Sequence, residues 1–94
     1  MRHPDPAAVL NGVQTGNICD SCNRGIQHGD KVSMYATYYE RDGWTPRRTW
    51  CMECCPESVD PGTEGADEVI VEAVFWSHRL AGVRVKDRSL PRER

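Results

Sequence analysis

The chain has 94 residues, 38% of them hydrophobic and 28% charged, with a formal net charge of −2. That length supports one domain with a thin core, the size class that commonly needs a staple such as a metal. The slight negative charge excludes a strong, uniform cationic field, though not a local basic patch.

Residues 1–16 hold Pro4, Pro6 and Gly12 around a small apolar island, Ala7-Ala8-Val9-Leu10. This segment reads as a mobile leader able to form a short helix or to dock on an edge, with His3 at the solvent. MRHPDP lacks the apolar core of a signal peptide, and no apolar run approaches the ~20 residues that span a bilayer. An intracellular, cytoplasmic location without membrane association is the expectation, a virion component being the other setting considered.

At Ile18 the cysteines begin. Cys19 and Cys22 form one C-x2-C pair, and Cys51 and Cys54 form a second. A pair at this spacing turns tightly enough to place both sulfurs on one metal, and two pairs complete a closed tetrahedron. One structural Zn2+ is the expected cofactor, with iron the competitor for four thiolates. Two disulfides are the alternative, disfavoured in a chain without a secretory leader. Gly25 and Gly29 offer positive φ for the turn out of the first pair, and His28 in that region reads as a surface imidazole.

From Lys31 to Glu40 the sequence alternates. Val32, Met34, Ala36 and Tyr38 fall on one face, and Lys31, Ser33, Tyr35 and Thr37 on the other, the period of a half-buried strand. Arg41-Asp42-Gly43 signals a turn. Residues 44–50 return toward the second cysteine pair, and Pro46, which has no N–H to donate, belongs at an edge or a bulge. Residues 56–67, with two prolines and two glycines, read as a loop. Residues 67–76 form the most apolar segment. Val69, Val71, Ala73 and Phe75 share one face, and Ile70, Val74 and Trp76 share the other with Glu72; β-branched enrichment predicts a strand covered on much of both faces. Ser77 to Gly82 reads as a reversal, residues 83–86 as an exposed partner strand, and residues 89–94 as a frayed tail. The expected fold is a small β-rich zinc-binding domain over residues 17–88: zinc knuckles with hairpins 31–50 and 68–88 side by side, and at most short helices.

A C-x2-C knuckle, then I-x-x-G-D, a hairpin, and Trp50 just before a second C-x2-C resembles treble-clef and LIM-like zinc fingers over residues 18–55. The resemblance implies that Cys19, Cys22, Cys51 and Cys54 are the four ligands. The wider pattern, with YAT, GWTPRR and EAVFWSHRLAGVRV, is similar to small zinc-finger proteins of halophilic archaea and their mobile elements, and it implies no activity to transfer. One departure stands out. A treble clef continues its second knuckle into a helix, whereas Cys55 here precedes Pro56, which biases it away from the α region.

Cys55 is the odd thiol: its adjacent position points it away from any metal that Cys54 binds. It reads as a free thiol, with a resolving role in redox exchange as the sharper alternative. The sequence holds no H-E-x-x-H, no phosphate-binding glycine loop and no ligand set that leaves a metal open, so no enzyme is expected. Arg41, Arg47 and Arg48 surround Trp44 and Trp50, an interleaving that suits single-stranded nucleic acid. The competing reading places both tryptophans in a miniature core with the arginines solvating the edge. Arg84, Lys86 and Arg88 make a second basic strip, offset by Asp87. The expected function is a non-catalytic interaction module that binds protein. A nucleic-acid-binding finger using Arg41, Trp44, Arg47 and Arg48 is the alternative, and a redox-responsive thiol–zinc switch ranks third.

Overall fold

A computed structural model of the protein describes residues 3–56 and 67–89. Four strands carry the fold: β1 Lys31–Tyr39, β2 Gly43–Cys51, β3 Glu68–Trp76 and β4 Arg79–Ser89, with one short helix, α1 Pro6–Leu10. All neighbours pair antiparallel, in the order β2-β1-β3-β4. The two hairpins expected side by side are thus hydrogen-bonded into one continuous sheet through β1 and β3.

The alternation of β1 works as read, because its even positions line the core. Val32, Met34, Ala36, Val69, Val71 and Phe75 gather on one face, closed over by Leu10 of α1, Ile26 and Leu80. The expectation of a half-buried strand needs correcting, however. Ser33 and Thr37, on the opposite face, are 0% and 4% exposed. β1 is central, so neighbouring strands shield both of its faces, and Ser33 satisfies its hydroxyl by donating to the Val71 carbonyl at 3.1 Å.

Turn chemistry sets the registers. Tyr39 faces Gly43 across the three-residue turn 40–42, and Gly43 sits at φ 74°, a position that favours glycine. Pro46 lies on an edge strand beside a bulge, where the register slips by one residue at Arg47. The second reversal is shorter than expected. Ser77 and His78 alone make it, at φ 50° and 63°. Gly82 lies inside β4, at φ 61°, where the register slips opposite Ala73. Two non-glycine residues in the left-handed region are costly. Here the Ser77 N–H donates to His28 Nδ1 at 3.2 Å and the Thr15 N–H donates to the His78 carbonyl at 2.8 Å.

Residues before the first cysteine pack on the sheet. Asp5 caps α1 by accepting from the Ala7 N–H, Pro6 occupies the first turn, and Leu10 is 0% exposed. Gly12 and Val13 exchange backbone hydrogen bonds with Leu80 at 2.7 and 2.9 Å. His3, expected at the solvent, instead stacks on Tyr38 with ring centroids 3.8 Å apart and places Nδ1 2.7 Å from Asp67 Oδ2. Asp67 also takes two hydrogen bonds from Arg88, at 3.0 and 2.7 Å. The loop expected over 56–67 and the tail over 89–94 fall almost wholly outside the described residues.

Candidate metal centre

The first knuckle is a tight reversal. Ile18 bridges Gly25, the Cys19 N–H donates to the Arg24 carbonyl at 2.9 Å, and the Asn23 N–H returns to the Cys19 carbonyl at 3.0 Å. Asn23, at φ 62°, supplies the left-handed residue that the sequence suggested Gly25 would provide. Asparagine tolerates that conformation better than most side chains. The second knuckle begins where β2 ends: Cys51 is its last residue, and the Cys54 N–H donates back to the Cys51 carbonyl at 3.1 Å.

Asp20, one of several acids that read as mere solvation near the cysteines, locks the knuckles together. Its N–H donates to the Thr49 carbonyl at 2.8 Å, and its Oδ2 accepts from the Thr49 N–H at 2.7 Å. The clamp grips β2 two residues before Cys51. An acid inside a C-x2-C pair was the available signal, but its partner lies 29 residues away.

The four sulfurs of Cys19, Cys22, Cys51 and Cys54 all lie within 4.8 Å of one another. Tetrahedral thiolate bonds of about 2.3 Å put neighbouring sulfurs roughly 3.8 Å apart, and Cys22 and Cys51 stand at 3.8 Å. That separation is far beyond a disulfide's ~2.05 Å, and all five cysteines are free. Charge is unevenly held in the cluster. Burial raises the Cys19 thiol, yet backbone N–H groups of Cys22, Cys51 and Ser21 outweigh it and bring the pKa down to about 6. Hydrogen bonds to the Cys22 and Cys51 sulfurs, aided by burial, push Cys54 up to about 12. Four cysteines are therefore arranged to hold a metal ion, which would require all four as thiolates.

Cys55 stands apart from this cluster. Its sulfur donates to the Pro56 carbonyl at 3.3 Å and receives the Lys86 Nζ at 3.3 Å. Of the other residues singled out in the sequence, Arg41, Arg47 and Arg48 are exposed. Trp44 is 6% exposed, a member of the core, with Nε1 donating to the Pro4 carbonyl at 2.7 Å and the Arg88 guanidinium 5.3 Å above its ring. Its ring is therefore not on the surface that carries the arginines.

No family model, no curated protein and no solved structure matches the chain. The likeness to treble-clef and LIM-like fingers rests on the four cysteines and their knuckles.

Proposed function

We propose that the protein is a non-catalytic interaction module whose sheet is stapled at one end by a single structural zinc ion. The gathering of four cysteine sulfurs within 4.8 Å carries this reading. Four thiolates fill a tetrahedral shell and leave no position for a substrate or an activated water, the pattern of structural zinc. The knuckle pair also supports the treble-clef-like description of the ligand set, without the long helix that usually follows. Thiols this close stay free only where the surroundings are reducing, which fits an intracellular setting. Elemental analysis of purified protein is expected to return one zinc per chain. A visible thiolate-to-iron absorption band would assign iron instead, and a metal-free protein that still unfolds cooperatively would overturn the structural role.

A further inference from the structure

Charge is not evenly spread over this protein. Neither β1 nor β2 contains a carboxylate, while the pair carries Lys31, Arg47 and Arg48. Opposed residues of an antiparallel pair share a face. Arg48 lies opposite Tyr35 and Trp50 opposite Ser33, so Lys31, Tyr35, Tyr39, Arg48 and Trp50 fall on the face turned away from the apolar core. Arg47 reaches the same face by donating from Nη1 to the Tyr39 hydroxyl. Among the described residues, none of these three cations has an ion-pair partner. The nearest acids on the sheet are engaged elsewhere. Glu72 is bound to Arg84 at 3.0 Å, and Glu68 is buried. Glu40 and Asp42 stand at the far end, in the β1–β2 turn.

The rings have an arrangement to match. Tyr35 and Trp50 are half-buried, with centroids 6.4 Å apart and planes inclined at 31°, and Tyr39 is 40% exposed. A hollow of about 310 Å³ lined by Lys31, Met52, Glu72, Val74 and Arg84 continues the face toward β4.

We infer that this outer face of β1 and β2 binds single-stranded nucleic acid, with Arg47, Arg48 and Lys31 contacting phosphates and the rings of Trp50, Tyr35 and Tyr39 stacking on bases. The inference rests on the interaction-module reading and names its surface and partner. The overall charge of −2 favours a protein partner only if charge is spread evenly, and here the unpaired cations are gathered beside partly exposed rings. Stacking selects a single strand, because a duplex hides its base faces, and it tolerates any sequence. Trp44 takes no part.

The test uses metal-loaded full-length protein and fluorescein-labelled oligodeoxythymidine, with the matching duplex alongside. Wild type is expected to bind the single strand in preference to the duplex, with tryptophan fluorescence quenched on binding and the quenching largely lost in Trp50→Phe. The double reversal Arg47→Glu/Arg48→Glu should abolish binding at moderate salt. The milder Arg47→Ala/Arg48→Ala should lower the slope of log affinity against log salt by roughly 1.4, the share of two phosphate contacts on a single strand. Zinc content and unfolding midpoint should be unchanged in these variants, which separates failure of this inference from failure of the metal-stapled scaffold. No binding at low salt, binding that survives the double reversal, or equal duplex binding without quenching would each overturn it. Retention of poly-L-glutamate, lost in the same double reversal, by a protein that ignores oligonucleotides would assign the face to acidic protein segments and overturn it as well.

Discussion

The two ends of the molecule are ordered by different forces. At the sheet, Leu10, Val32, Met34, Val69, Val71 and Leu80 are all at most 1% exposed, and each such side chain contributes about 1.5–3 kcal/mol on burial. At the first knuckle, Cys19 alone among residues 18–25 is buried. The rest of that reversal is polar and solvated, held by a few backbone hydrogen bonds and the Asp20–Thr49 clamp. Local hydrogen bonds in water are each worth only about 1 kcal/mol, too little to fix a chain that buries so little apolar surface. The sheet is stabilised by what it removes from water, and the knuckles need a ligand to order them.

The largest effect should come from taking that ligand away. A structural zinc site contributes about 10–16 kcal/mol of apparent binding free energy at neutral pH. Chelation is therefore expected to abolish cooperative unfolding, with amides of residues 18–25 and 51–54 losing exchange protection before those of β1 and β3. Calorimetry and hydrogen exchange on stripped protein measure both. Protection lost uniformly over both ends would erase the distinction drawn between them.

The converse experiment weakens the sheet and leaves the knuckles alone. Trp44→Ala removes a buried ring, its bond to the Pro4 carbonyl and the surface beneath Arg88. A loss of about 3–5 kcal/mol is expected, read from the denaturant midpoint, with one zinc still bound per chain. A loss below about 1 kcal/mol would place Trp44 outside the core and return it to the surface considered from the sequence.

The parts of this architecture legible in the sequence are those encoded locally. Period-two alternation at Val32, Met34, Ala36 and Tyr38 marks a strand because a pleated chain turns every second side chain to one face. The C-x2-C spacing marks ligands because it is set by reach within one turn. What escaped is settled by distant partners or by competing turn signals. Ser33 and Thr37 look like solvent-facing residues, and only their central place in the sheet buries them. His3 meets Asp67 across 64 residues, a contact that no window on the chain contains. Gly82 is the stronger turn former, yet Ser77 and His78 turn and Gly82 bulges, because the pairing of β3 with β4 selects the register. Arg47 and Arg48 were visible as a basic pair, but the ring to set beside them, Trp50 and not Trp44, follows from strand register.

A smaller effect than that of Trp44 is expected at the link between His3, Asp67 and Arg88. Burial alone would raise the Asp67 carboxyl, but hydrogen bonds and charge from Arg88 and His3 hold it below its ordinary value of 3.8. Its charged form is thus favoured in the folded state. The associated stability is fully present above the ordinary carboxylate range and is lost as pH falls through the lowered folded value. Asp67→Asn should cost about 1.5–3 kcal/mol near neutral pH, the worth of hydrogen bonds to a charged group. The gap between wild type and variant should narrow on acidification below about pH 4. Urea titrations across the acid range test the sign: a gap that widens toward low pH would show that Asp67 is not held charged by the fold.

The smallest expected effect sharpens the contrast from the knuckle side. Arg24 and Glu53 join the two knuckles by an ion pair at 3.4 Å, with side chains 62% and 79% exposed. The pair lies beside the cysteines and spans the two reversals, so contact alone would suggest that it helps to hold them. At that exposure water and salt screen the attraction, and two long side chains lose rotamer freedom to meet; such pairs contribute about 0–1 kcal/mol. A double-mutant cycle with Arg24→Ala and Glu53→Ala on the metal-loaded protein should therefore give a coupling within about 0.5 kcal/mol and leave zinc affinity, measured by chelator competition, unchanged. The same cycle at high salt should change little further, there being little to screen. A coupling well above 1 kcal/mol, or a fall in metal affinity in either single variant, would mean that surface charge shares with the thiolates the task of ordering the knuckles, and the division between the two ends would have to be redrawn.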